Sequence, residues 1–262
     1  VHIGYLAAIV AASNAGGAGS VVGDTTTTMM WIAGHSPLDV LHAYIAAIVA
    51  FVVFAPLAAR TQHKHSPIQK HREAGLKIDW ARVGIVGFIL VCAIGANVFA
   101  NLRFPVLLEL LPVIGLGVWL AILIAAPLRK PDWNIIPASL KGTVFLLFLV
   151  TSASLMPVER LPEASWQSAF GLGFISSVFD NIPLTALALN QGGYDWGVLA
   201  FAVGFGGSMT WFGSSAGVAL TTQYPEAKSV FNWVRHGWPV AVGYVLGFFA
   251  LLLTLGWHPD GH

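Results

Sequence analysis

Two aspartates, Asp24 and Asp180, are the acids that fall inside the three interrupted apolar segments of this chain, His2–Ile32, Ser165–Leu189 and Trp196–Thr222. A carboxylate withdrawn from water holds a proton more readily, so it can alternate between a proton and a small cation at working pH. Hydroxyl, amide and freed carbonyl oxygens around it are hard ligands suited to that cation. An intramembrane acid is by default a functional position. Structural readings stand beside that one. Asp24 opens a Thr-rich helix as an N-cap would, and Asp180 fits an Asx-turn at a loop tip.

The segment around Asp24, Asn14 to Thr28, carries four glycines in eight positions. Each costs about 1 kcal/mol in a helix interior relative to alanine, so the spacing predicts a helix that breaks and restarts. In lipid a broken backbone survives only inside protein or beside a polar cavity. Asn14 and Asn181 could ligate a cation through their amide oxygens or bond freed backbone groups. Thr25 to Thr28 cannot all face one site, because a helix turns about 100 degrees per residue. Ser208, Thr210, Ser214 and Ser215 are equally compatible with small packing residues between helices.

The elements that must hold these residues are membrane helices. The chain is 56% hydrophobic and 10% charged, with mean hydropathy +0.73, which excludes an ordinary soluble domain and predicts an all-α polytopic membrane protein. Charge-free runs long enough to cross about 30 Å of hydrocarbon predict plain spans over Leu41–Ala59, Val83–Asn101, Leu110–Leu128, Gly142–Val158 and His236–Pro259. Arg60, Lys64, Lys70, Arg72, Lys77 and Arg82 make the first long connection basic and therefore cytoplasmic. Arg129, Lys130 and Lys141, then Lys228 and Arg235, mark further basic connections; Arg103 and Arg160 stand alone in the poor ones. The alternation works if Ser165–Leu189 is a re-entrant hairpin with Asp180-Asn181-Ile182-Pro183 at its tip, Pro183 suiting the first turn of the returning arm.

The two remaining segments then run in opposite directions. They share a pattern: Gly16-Gly17, five residues, Gly23-Asp24 against Gly206-Gly207, five residues, Gly213-Ser214. Opposite topology with a shared break predicts an inverted-repeat transporter. Residues 1–59 read as the end of a first repeat, with a broken helix and one span, and 60–79 as a cytoplasmic basic loop. Residues 80–262 read as a second repeat: three spans, hairpin, broken helix and final span. The hairpin tip lies 26 residues before Gly206, and the equivalent point before Gly16 falls ahead of Val1. The expectation is that an N-terminal part is removed or supplied by another chain.

At these residues the chain resembles the ion transporter superfamily and, within it, the NhaD-type sodium/proton antiporters. Asn14-Ala15-Gly16-Gly17 through Gly23-Asp24 to Trp31 is similar to that family's first broken helix. Asp180-Asn181-Ile182-Pro183-Leu184 is similar to its second hairpin tip, and Gly207-Ser208 with Gly213-Ser214-Ser215-Ala216-Gly217 to its second broken helix. The resemblance implies one half-site of Asn14, Asp24, Thr26 and Thr27 and another of Asp180, Asn181, Ser208 and Ser214. Na⁺ would bind at Asp24 and Asp180 in exchange for H⁺, with no cofactor. Two departures accompany it: the family's first hairpin, with its own Asp-Asn pair, is absent, and Gly19-Ser20-Val21-Val22 replaces a bulkier, proline-containing run.

Other polar residues read more plainly. Glu109 near a membrane edge is a snorkelling acid rather than a proton relay. His63, His65 and His71 occupy a solvated loop rather than a metal site, and His35 and His42 flank the outer end of the first broken helix. Trp31, Trp80, Trp133, Trp166, Trp196 and Trp257 fall near span ends as interface anchors. Cys92 is a small core hydrophobe. No phosphate-binding lysine follows a glycine loop, and neither zinc spacing nor a Ser-His-Asp set occurs, so the chain is read as a carrier and not an enzyme. Its expected partners are membrane lipid, Na⁺ and H⁺, with a homodimer mate or a chain supplying the N-terminal part, and no nucleic acid. Its expected location is the bacterial inner membrane, as a multi-pass protein. Two alternatives are a Na⁺-coupled carrier of an anion such as a carboxylate or arsenite, which calls for basic side chains at the site, and a non-transporting membrane subunit docked to a partner.

Overall fold

A computed structural model describes residues 1–21, 23–67, 78–104, 111–155, 157 and 161–259, and all regular structure among them is helical. The chain divides into two compact bodies, one drawing on residues 1–68 and 146–262 and the other on 69–145.

The first body opens with α1 (Ile3–Gly17), α2 (Thr25–Ile32), α3 (Pro37–Leu41) and α4 (Ala43–His65). Pro37 sits in the first turn of α3, whose N-cap Ser36 accepts from Leu38 N. The break expected between α1 and α2 is present. So is the hairpin, as α8 (Trp166–Ser176) and α9 (Asn181–Gln191), and the second broken helix, as α10 (Trp196–Gly206) and α11 (Ser215–Gln223) with a 3₁₀ turn at Gly207–Met209. The last long helix is α12 (Val230–Leu255). α4 and α12 pack along each other through small residues: a Cβ at Gly243 would stand 3.0 Å from the Ala50 carbonyl, and one at Gly247 2.5 Å from that of Ala46. Close backbone approach of this kind is how helices associate where lipid supplies no hydrophobic drive. α10 is buried along its whole length, as an all-apolar helix must be when neighbours surround it. Phe201 and Phe205 stack at 5.1 Å, and Tyr244 of α12 stacks on Phe201 at 5.8 Å while donating to the Phe170 carbonyl at 2.7 Å.

The second body is built on α5 (Trp80–Arg103) and α6 (Val113–Ala125), packed together where Gly117 meets Ala96. Asp79 caps α5 by accepting from Arg82 N at 3.1 Å and pairs with Arg129. Val83, Val86, Leu90 and Val91 of α5 are exposed apolar residues, as on a lipid-facing helix. α7 (Ile136–Ser154) follows a 3₁₀ turn at Trp133–Ile135, and its residues from 146 onward belong to the first body.

Several span boundaries differ from expectation. Among the described residues three helices are long and apolar enough to cross a membrane: Pro37–His65, Trp80–Ala100 and Val230–Leu255. α6 has 13 residues and so covers about 20 Å, less than the hydrocarbon core. α7 begins six residues before Gly142, with Pro137 in its first turn where no N–H is needed. Arg60, His63, Lys64 and His65 belong to α4 and not to a loop, because no glycine or proline stands between Ala59 and Pro67. Trp196 is 6% exposed and stacks on His35 at 3.8 Å, so it is a core residue and not an interface anchor. Glu109, Lys70, His71, Arg72, Lys77 and Arg160 lie outside the described residues. The chain is an integral membrane protein by these helices and their composition.

Candidate functional site

Each break is closed by the same kind of contact. A Cβ at Gly17 would lie 2.7 Å from the Gly23 carbonyl oxygen, and one at Gly207 would collide with that of Gly213. Only a hydrogen fits there, which gives the paired glycines of both segments a steric reason. The first break is then tied internally. Thr27 Oγ1 donates to the Ser20 carbonyl at 2.6 Å and Thr28 Oγ1 to the Val21 carbonyl at 2.7 Å, each also within reach of the Asp24 carbonyl. From outside, Tyr44 OH of α4 donates to the Gly16 carbonyl at 3.1 Å. In the second break Trp233 Nε1 of α12 donates to the Ser208 carbonyl at 3.2 Å, and Thr210 Oγ1 donates to the Ser177 carbonyl at the hairpin tip.

Two contacts bring the expected site residues together. Asn14 Nδ2 donates to Ser208 Oγ at 2.9 Å, joining the two breaks. Asn181 Nδ2 donates to Asp24 Oδ2 at 3.3 Å, joining the hairpin to the first break. Glycine at 204 lets α10 approach the same carboxylate, since a Cβ there would lie 3.1 Å from Asp24 Oδ2. Asp24 occupies the N-cap position of α2 with extended backbone, near the Thr25 and Thr26 N–H groups without closing a capping hydrogen bond of standard geometry, and it lines the cavity between the breaks. Asp180 does cap: its Oδ1 accepts from Ile182 N at 2.9 Å at the start of α9. Ser214 caps α11 from Gly217 N at 3.4 Å.

A cavity of about 400 Å³ lies between the breaks, lined by Ser13, Asn14, Asp24, Thr25, Thr28 and Ser215, with glycines and Ala216. Thr25 and Thr28, rather than Thr26 and Thr27, line it. Thr26 and Thr27 are fully buried; Thr26 Oγ1 stands beside Asp24 without closing a hydrogen bond of standard geometry, and Thr27 is committed to the Ser20 carbonyl. Asp180, Asn181, Ser208 and Ser214 are not among its lining residues. The side-chain oxygens on its wall are the Asp24 carboxylate, the Asn14 amide oxygen and the hydroxyls of Ser13, Thr25, Thr28 and Ser215. That is an all-oxygen set, and no cluster of three or more His, Cys, Asp or Glu able to hold a metal occurs among the described residues.

Sequence reasoning missed Asp195, a 4% exposed acid at the N-cap of α10. Its Oδ1 accepts from Val198 N and its Oδ2 from His258 N, both at 3.0 Å, so its role is structural. It also missed Gly204, Tyr44 and Trp233; only the first carried a signal, as a glycine within an otherwise bulky apolar run.

Comparison with known proteins bears out the resemblance. "Sodium/proton antiporter 1" of Arabidopsis thaliana is 29% identical over 95% of this chain and 48% of its own length. "Na(+)/H(+) antiporter NhaD" of Vibrio parahaemolyticus is 27% identical over 90% of the chain and 67% of its own, and that of Vibrio cholerae 26% over 94% and 60%. The chain therefore spans about half to two thirds of the length of these relatives. No family profile and no solved structure matches it. Along nearly its whole length it is a relative of NhaD-type antiporters.

Proposed function

We propose, from the kinship with NhaD-type antiporters, that this protein exchanges Na⁺ for H⁺ across a membrane, the two ions competing for the carboxylates of Asp24 and Asp180. The observation that carries this reading is the hydrogen bond from Asn181 to Asp24 beside an oxygen-lined cavity. A carboxylate facing such a cavity releases its proton when a small cation arrives and regains it when the cation leaves. Asn14, Thr25, Thr28 and Ser215 complete the cation's oxygen shell from the wall. Asn181 and Ser208 position Asp24 and Asn14 through their hydrogen bonds, with Thr27 and Ser214 holding the two restarted helices.

The reading includes an inverted repeat, with 1–59 closing one half, 60–79 connecting, and 80–262 forming the other. It is supported by the packing of α2 against α10 and of α1 against α11, which sets the exit of one broken helix against the entry of the other. The matched glycine contacts in the two breaks support it as well. No basic side chain lines the cavity, which favours a cation over a carried anion. The setting proposed is a bacterial inner membrane, with a second copy of the chain or an N-terminal partner chain completing the assembly.

Na⁺-dependent proton flux in membrane vesicles tests the assignment. Asp24→Asn and Asp180→Asn each abolish it, whereas Glu109→Gln retains it. Flux surviving in either aspartate variant refutes the assignment.

A further inference from the structure

The ends of α1, α4 and α12 enclose a second cavity, of about 330 Å³, in the first body. Its floor is apolar, with Phe54 and Val240 buried beneath it. Its rim is cationic: Arg60 and Lys64 from α4 and Arg235 from α12, with His2 and His236 and no acid in the lining. Among the described residues the one ion pair is Arg129 with Asp79, so these three cations have no acidic partner there.

The histidines are held in place. His2 donates its backbone N–H to Gln62 Oε1 at 2.8 Å and accepts from Gly4 N at Nδ1, at 3.1 Å. Its ring meets His236 edge-on at 5.1 Å and His65 at 5.5 Å. Gly4 allows this by letting α1 touch the His236 carbonyl. Gathered cations over a low-dielectric floor focus a positive potential, and two guanidinium forks match the oxygens of a phosphate.

We infer that this cavity is a binding site for a phosphate-bearing anion, either free or as the headgroup of an acidic lipid. Arg60 and Arg235 grip its oxygens, Lys64 adds charge, and His2 adds more as it protonates. The His2 ring stands edge-on to those of His236 and His65, so positive charge gathered there is self-repelling. A bound anion offsets that repulsion, so binding takes up protons and strengthens as pH falls. Arg60, Lys64 and Arg235 are the charged groups facing the cavity from α4 and α12.

The test uses the protein in phosphatidylcholine nanodiscs titrated with inorganic phosphate, and in nanodiscs containing phosphatidylglycerol, against sodium chloride of equal ionic strength. Binding and thermal protection are expected in at least one arm, weakened about tenfold for each arginine lost in Arg60→Gln, Arg235→Gln and their double variant. Both side chains are exposed, so these variants keep the fold. Protection by phosphate identifies a free anion; protection confined to phosphatidylglycerol identifies a lipid. The phosphatidylglycerol charge does not change between pH 6 and 8, so stronger protection at pH 6, flattened by His2→Gln, reads the histidines; stronger protection at pH 8 overturns their part. No protection beyond chloride in either arm, or protection unchanged in the double variant, overturns the site.

Discussion

Asn181 Nδ2 lies 3.3 Å from Asp24 Oδ2 although 157 positions separate the two residues, so the tip of the hairpin and the first break share one carboxylate. A hydrogen bond to a charged group contributes about 1.5–3 kcal/mol. Asn181→Ala is therefore expected to raise the Na⁺ concentration for half-maximal exchange by about tenfold or more while leaving measurable flux. A Na⁺ dependence equal to wild type would show that the contact is idle in transport.

The paired glycines of the first break give a sharper contrast. A Cβ on Gly16 meets nothing within 4 Å, whereas one on Gly17 meets the Gly23 carbonyl at 2.7 Å. Gly17→Ala is expected to cost about 1–3 kcal/mol by overpacking and to lower the melting temperature in detergent. Gly16→Ala leaves it unchanged or raises it, since alanine is the better helix former. Equal melting of the two variants would contradict the closed break.

Trp233→Phe keeps the ring in a fully buried position and removes the donor to the Ser208 carbonyl. Interhelical hydrogen bonds in membranes average about 0.6 kcal/mol, with about 1.7 as an upper value. The expected outcome is a small loss of stability accompanied by a larger loss of flux, because the freed carbonyl lies in the break. A variant that transports normally would argue that the break does not need this anchor.

In the second body the backbone N–H of Arg82, then Arg129, hold the Asp79 carboxyl below the ordinary aspartate range. A depressed carboxyl contributes to stability above its unfolded value, near 3.9, and the contribution is lost as pH falls through the folded value. Carboxyl carbon NMR on selectively labelled protein should show Asp79 titrating below 3.9, moving upward in Arg129→Gln. Titration at or above 3.9 in the wild type would mean that cap and pair are absent in solution.

Much of the architecture is legible in the chain because glycine and proline act locally. The Gly16-Gly17 and Gly206-Gly207 breaks and the turn at Asp180 follow from backbone costs that neighbouring residues cannot hide. The facing of side chains is not legible in the same way. Which of Thr25 to Thr28 reach the cavity depends on how far α2 rotates against α9 and α10, a tertiary quantity; the hydroxyls of Thr27 and Thr28 turn back to the break instead of following a helical face. Histidines show the same limit. His63, His65 and His71 are neighbours in sequence, yet the rings that meet belong to His2, His65 and His236, on three different elements.

α4 and α12 lie against each other along small residues, and each reaches out to one break, Tyr44 to the Gly16 carbonyl and Trp233 to that of Ser208. Mechanically the pair is a yoke. A tilt of it would pull on both interrupted helices at the same moment, gearing the movement of one break to that of the other.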